Sequence, residues 1–154
     1  MDTRIVGIAD RPDLVPVIAK WLWHEWGRRE GRTLASTTAW LQRPMAALGP
    51  EQVFILLAEG APAGTASLVH DDLDERRELT PWLASVYVPE AYRGRGYAAR
   101  LVRRVEAACM EAGIATLWLH TEHAAALYAR LGWQEAGAAR DHGHPVSIMR
   151  RDFG

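Results

Sequence analysis

A single cysteine, Cys109, serves the whole 154-residue chain. One thiol excludes an internal disulfide, suits a reducing compartment, and is expected in the core. Charge of one sign is lacking too. Eighteen basic and nineteen acidic residues leave a net charge of −1, so no global field steers the protein to nucleic acid or to a membrane, and any anion site must be local. No apolar run approaches the roughly 20 residues that a membrane span needs, and the opening MDTRIVGIADRPD carries charge too early for a secretory signal. Repeats, low-complexity tracts and linkers are absent as well. What remains is a soluble cytoplasmic protein expected to fold as one domain over residues 1–154. A chain of that size buries roughly 70% of its unfolded surface around one core.

The apolar spacing gives an order of elements. Thr3–Ile8 reads as a strand, and Asp10 can cap a helix through about Arg28, with Leu14, Val17, Ile18, Trp21 and Leu22 on its inner face. Ser36 can cap a second short helix that Pro44 disturbs. VFILLAE and GTASLVH form a hairpin across Gly60, Ala61 and Pro62, and the acidic DDLDERRE precedes a fourth strand over Trp82–Val88. A helix from Tyr97 to Gly113 buries Ala98, Leu101, Val102, Val105, Ala108, Cys109 and Ala112, leaving Arg100, Arg103, Arg104 and Glu106 mostly outside. Ile114–His120 is then a strand, His123–Leu131 a helix, and Trp133–Ala139 and Val146–Arg151 the last two strands around a polar turn containing RDHGHP. Strand, loop, helix and strand from Trp82 to His120 make one βαβ unit with parallel strands.

Within that unit lies YRGRGYAA, residues 92–99. Glycine lets the backbone turn tightly and approach a ligand, and a helix starting at Tyr97 aims unpaired N–H groups at it. Two ligand chemistries fit. Gly94-Arg95-Gly96-Tyr97-Ala98-Ala99 formally matches the dinucleotide fingerprint G-x-G-x-x-A. That chemistry also requires an acidic residue about 20 positions on, where this chain has Gly113-Ile114-Ala115, and further βα units for which the chain is too short. Alternatively, Arg93, Gly96 and Ala98 form R-x-x-G-x-A, with the amides of Gly94 to Ala98 turned to a pyrophosphate and the arginines adding positive potential. A plain glycine turn with two solvated arginines is the structural alternative.

LASVYVPEAYRGRGYAARLVRRVE followed by LWLHTEHAAALYARLGW resembles the core of the GNAT superfamily of acyl-CoA-dependent N-acyltransferases. The first run matches its pyrophosphate motif; the second matches its fifth strand and fourth helix, closing as Tyr128 to Gly132-Trp133. The resemblance is specific over Leu83–Trp133. It implies an α/β (α+β) fold with a mixed, mostly antiparallel central sheet of about seven strands, a central parallel βαβ unit and about four flanking helices. It also implies acetyl-CoA as cosubstrate. Val86, Tyr87 and Val88 would hold the pantetheine arm in the manner of an added strand. Arg93, Gly94, Arg95, Gly96, Tyr97 and Ala98 would hold the pyrophosphate, and Tyr128 would face the sulfur. Thr121 departs from the asparagine common in the family seven residues before this tyrosine.

Acetyl transfer from a thioester to an amine needs a neutral amine, a stabilised oxyanion and a proton for the thiolate. A primary amine with a pKa near about 10.4 costs roughly 4–5 kcal/mol to deprotonate at pH 7, so a base or a lowered pKa is required. Tyr128, protonated at neutral pH, is a candidate general acid, although it also lies on an apolar helix face with Ala124, Leu127 and Leu131. His120 closes the fifth strand and is a candidate base, with Glu122, Ser85, His142 and His144 as alternatives. The family resemblance implies an oxyanion donor in a fourth-strand amide such as that of Val86.

No metal is expected, since neither His120 with His123 nor His142 with His144 shows a recognised ligand spacing. Trp21, Trp23, Trp26 and Trp40 can cage a cation or pack a flat substrate, and Asp71, Asp72, Asp74, Glu75 and Glu78 can attract a polyamine, an aminoglycoside or a basic peptide or simply form a solvated loop. The expected activity is N-acetylation of a primary amine on a small molecule or peptide, with no nucleic acid or membrane partner and a homodimer possible. Two other functions compete, a non-catalytic acyl-CoA sensor and a dinucleotide-binding oxidoreductase fragment.

Overall fold

A computed structural model describes residues 2–43 and 51–154. The chain runs β1 (Thr3–Gly7), α1 (Val15–Leu22), α2 (Leu34–Gln42), β2 (Gln52–Ala58), β3 (Ala61–Val69), β4 (Trp82–Tyr87), α3 (Tyr97–Glu111), β5 (Thr116–Thr121), α4 (Ala125–Arg130), β6 (Gln134–Asp141) and β7 (His144–Asp152). The strands form one seven-stranded sheet in the order β1-β2-β3-β4-β5-β7-β6. Every neighbouring pair is antiparallel except β4 with β5. That is the mixed sheet with one parallel unit expected from the sequence, and four α-helices flank it among the described residues.

Alternation in β2 shows how the two faces are covered. Phe54 and Leu56 join the core under α3, which contributes Leu101, Val102, Val105 and Cys109. Val53, Ile55 and Leu57 join a second core with Ile18 and Leu22 of α1 and Leu41 of α2. A strand buried on both faces reads as a continuous apolar run, as VFILLA does. Cys109 is fully buried, as expected.

Several local expectations change. The first helix does not begin at Asp10: two short 3-10 turns, Ile8–Asp10 and Pro12–Leu14, precede α1, and Asp10 sits inside the first of them. After Leu22 the helix widens into a π-helical segment, Trp23–Gly27. The cap of α2 is Thr33 rather than Ser36. Thr33 Oγ1 accepts from the Ser36 amide at 3.0 Å and Ser36 Oγ accepts from the Thr33 amide at 3.2 Å, a reciprocal capping box that satisfies two orphan donors. Arg43 is extended, with ψ 150°, as a residue before proline prefers; Pro44 itself lies outside the described residues. The hairpin turn of β2 and β3 is shorter than expected, at Glu59 and Gly60, and β6 and β7 meet through His142 and Gly143, both at positive φ.

Glu106, expected outside, is buried at 3% exposure. It accepts from Trp133 Nε1 at 3.0 Å and from Arg103 at 2.9 Å, so α3 is tied to the turn between α4 and β6. No helix among the described residues is long and apolar enough to cross a membrane.

Candidate active site

The parallel pair at the sheet's centre is barely a pair. One bridge joins Trp82 to Trp118, and the Trp118 amide donates to Pro81 O at 3.1 Å. No bridge pair follows. On its other edge, β4 slips against β3: Thr65 faces Tyr87 and Ser67 faces Ala84, so two steps on β3 match three on β4. The extra residue is a bulge, and Ser85 sits there at φ 55°, a conformation uncommon outside glycine. Bending β4 away from β5 leaves Val86 and Tyr87 without strand partners on the β5 side. The resulting cleft, about 860 Å³, is lined by Leu83 to Val86 of β4, by Leu119 to Thr121 of β5, and by Tyr128.

Beyond β4 the chain reaches the glycine loop. Gly94 and Gly96 have φ of 80° and 78°, and no atom lies within 4 Å of where a Cβ would stand on either. Gly96 is the N-cap of α3, accepting from the Arg100 amide at 3.1 Å. The first-turn amides, from Tyr97 onward, therefore lack intrahelical partners and point toward the open loop. Arg93 and Arg95 are exposed. Arg93 Nε donates to Val88 O at 2.8 Å, and the Arg95 guanidinium lies 5.7 Å from the Tyr92 ring centre. Tyr97 turns its side chain into the core at 6% exposure, which leaves only its backbone for a ligand; Ala98 is half-buried. These residues form an open concavity built from amides and two guanidinium groups, the chemistry a pyrophosphate requires.

The candidate acid and base approach the cleft from opposite sides of the sheet. Leu117 and Leu119 join the α3 core together with Tyr128. Trp118 packs on the other face beside Trp82. His120 shares the parity of Trp118, and its ring meets Trp82 edge-on at 5.8 Å. Tyr128 is 7% exposed and packs against Trp133, and burial pushes its hydroxyl up to about 12. Its hydroxyl has no hydrogen-bond partner among the described residues. His120 Nε2 lies 2.8 Å from Asp72 Oδ2 and 3.2 Å from Asp72 O. Burial of the imidazole opposes its charged form, but the Asp72 hydrogen bond and charge, with Asp141 behind them, outweigh this and raise its pKa. Asp72 is raised as well, by burial, with His120 acting in the opposite direction.

Asp72 thus leaves the solvated acidic loop and becomes part of the site, which sequence spacing had not signalled. Asp71 and Asp74 line the same cleft, whereas Glu75 and Glu78 turn to the Arg140 amide and to Arg76. Thr121 Oγ1 accepts from the Ala124 amide at 3.0 Å, so it steadies the approach to α4. Trp21 and Trp26 flank the Tyr87 ring at 5.7 and 6.4 Å. Trp23 donates to Arg32 O, and Trp40 stacks under Arg43. Of the four, Trp26 and Trp40 line the cleft.

Of the other base candidates, Ser85 lines the cleft at the bulge, and Glu122, His142 and His144 have charged neighbours. Glu122 meets Arg29, His123 and His144 at 3.5, 3.5 and 3.8 Å. His142 sits 3.0 Å from Asp141 and 3.4 Å from Glu30, and candidate ligand atoms of the three lie within 4.8 Å of one another. Glu30 is also paired with Arg32 at 2.6 Å.

Residues 15–133 match the model of the acetyltransferase (GNAT) family. The chain belongs to the GNAT acetyltransferase family. That family is one of acetyltransferases, and solved proteins of similar fold carry coenzyme A or acetyl coenzyme A. N-alpha-acetyltransferase MAK3 of Arabidopsis thaliana is 37% identical over 93 residues, a match that covers 58% of this GNAT chain and about half, 48%, of that relative. An aminoglycoside 6'-N-acetyltransferase solved with coenzyme A superposes with a TM-score of 0.76 at 15% identity, covering 99% of this chain and 97% of its own. A GNAT-family acetyltransferase from Streptococcus pneumoniae gives 0.72 at 16% identity, covering 99% and 100%. At such identities the structural likeness speaks for the GNAT fold.

Proposed function

We propose that the protein transfers an acetyl group from acetyl-CoA to a primary amine, with the pyrophosphate on residues 93–98, the pantetheine arm along Val86 to Val88 and the thioester in the gap between β4 and β5. The supporting observation is that gap itself, lined by Tyr128 from one sheet face and by His120 from the other.

The reaction removes two protons from the substrate ammonium. His120 accepts the first, directly or through one water, and passes it to solvent. The neutral amine then attacks the thioester carbonyl, forming the C–N bond. In this reading the amide of Val86, at the bulge, donates to the oxyanion. Collapse breaks the C–S bond, and the thiolate leaves as a thiol with a proton from Tyr128, which recovers it from the second amine N–H. A phenol held at about 12 by burial is a weaker acid than a thiol of ordinary pKa near about 8.5. Transfer is therefore uphill to free thiolate and depends on the departing sulfur lying close to the hydroxyl.

Acceptor charge follows from the lining. Eight carboxylates, Glu25, Glu30, Glu51, Asp71, Asp72, Asp74, Glu122 and Asp141, face three arginines, Arg29, Arg32 and Arg43. Such a cleft concentrates cations, and a small amine with more than one positive charge fits it best. Two experiments test the assignment. Thermal shift with acetyl-CoA at 100 times its Kd should add about 2.7 kcal/mol, several degrees of Tm at this size. A thiol-release screen across mono- and polyamines then reads turnover. Binding without amine-dependent thiol release would replace the enzyme with a non-catalytic acyl-CoA sensor.

A further inference from the structure

We infer that Asp72 is the positioning residue of the general base, holding His120 through Nε2 so that Nδ1 is the nitrogen that takes the substrate proton. The inference rests on the acetyl-transfer reading above and extends it to a residue from a different part of the chain. Asp72 follows β3, 48 positions before His120, and reaches it past the first residue of β4. Its carboxylate at 2.8 Å and its own carbonyl at 3.2 Å both address the same ring nitrogen. Two acceptors at one nitrogen require a proton there, so the lone pair of the neutral imidazole is left on Nδ1. Nδ1 has no hydrogen-bond partner among the described residues. Trp82 meets the ring edge-on at 5.8 Å and packs against it.

The charged surroundings are compatible. Asp72 from the β3–β4 connection and Asp141 from the end of β6 both act on His120 with negative charge, and Arg32, ahead of α2, acts on Asp72. On β7 the residue opposite is the uncharged Ile148. When Nδ1 takes the amine proton, the imidazolium forms against a carboxylate already in contact with it. No atom rearranges.

The loop that carries Asp72 is fixed at several points. Thr80 Oγ1 donates to His70 O at 2.7 Å, Trp82 Nε1 donates to Leu79 O at 2.7 Å, and Glu75 accepts from the Arg140 amide at 2.9 Å. Leu73, next to Asp72, is buried at 2% exposure in the core beside Trp82. Asp72 is therefore held as a rigid support, as a residue that orients a base must be.

The test pairs kinetics with NMR on the full chain. Asp72→Asn keeps the shape and removes the charge; Asp72→Ala removes both. For Asp72→Asn the expected results are a 10- to 100-fold fall in kcat, a KM for acetyl-CoA within twofold of wild type, and an acidic limb of the kcat–pH profile displaced to lower pH. The double variant with His120→Gln should be no slower than His120→Gln alone. Nitrogen-15 spectra of the histidines should show His120 as the Nε2–H tautomer in the wild type, with a pKa that drops in Asp72→Asn. An active wild type whose kcat and acidic limb survive Asp72→Asn overturns the inference while leaving the acetyltransferase reading intact. Multiplicative losses in the double variant overturn it too, as does an Nδ1–H tautomer. A wild type that releases no thiol with any amine strikes the acetyltransferase reading itself. In that case an unchanged His120 titration in Asp72→Asn would remove the pairing as well.

Discussion

Gly96 shows how much one missing side chain decides. It holds φ 78° at the start of α3, and the space beside it is open. Gly96→Val would place a β-branched residue in a left-handed conformation, at the cost of about 1–3 kcal/mol, and put methyl groups where the proposed pyrophosphate site lies. Acetyl-CoA affinity should fall at least tenfold by calorimetry; unchanged affinity would move the cofactor elsewhere. Tyr128→Phe should leave that affinity alone and lower kcat by 10²- to 10⁴-fold, the range of general acid catalysis. Because burial raises this hydroxyl to about 12, wild-type kcat should show no alkaline decline from it up to pH 10. The His120 pKa is raised and the base must be neutral, so activity should climb with pH through a value above the ordinary histidine figure of about 6.5. Cys109 offers a control. Burial, then the Glu106 charge, pushes its thiol up to about 12, so iodoacetamide should label it only after unfolding.

At the scale of elements, helix α3 is held by its stripe and α2 by its cap. Leu101 is fully buried, and Leu101→Ala should cost about 2–5 kcal/mol in denaturant unfolding. Thr33→Ala breaks the capping box and should cost about 0.5–2 kcal/mol. A smaller cost for Leu101 than for Thr33 would mean that α3 is not the main cover of its face. Elements were legible where one periodicity ran uninterrupted, as in α3 or VFILLA. They were misread where competing local bonds decide the register. Asp10, Thr33 and Ser36 are all good caps by residue type, and only the reciprocal bonds of the last two reveal which residue precedes the helix. Glu106 looked outward because a carboxylate on a helix usually does; its partner Trp133 lies 27 residues away. The position of the glycine loop at the start of α3 and of Tyr128 on α4 was legible because a local backbone need and a resemblance coincided. The Asp72–His120 contact was not, since nothing local distinguishes Asp72 from Asp71 or Asp74. Only the path of the connection after β3 separates them.

Across the whole molecule, the acidic lining should make acceptor binding depend on salt. Raising the ionic strength from 0.01 to 0.5 M shortens the screening length from about 30 Å to less than 10 Å, so KM for a dicationic amine should rise several-fold while that for a neutral analogue stays level. A flat response would leave shape alone to select the acceptor. The single bridge between Trp82 and Trp118 has a further consequence. A sheet joined at its middle by one rung is mechanically two half-sheets, β1 to β4 and β5-β7-β6, sharing a seam. Each half should breathe on its own, and amide exchange should report two opening free energies rather than one. A ligand strand laid into the seam would stitch the halves together, and acetyl-CoA should then slow exchange in β6 and β7 as well as in β4, far from any atom it touches.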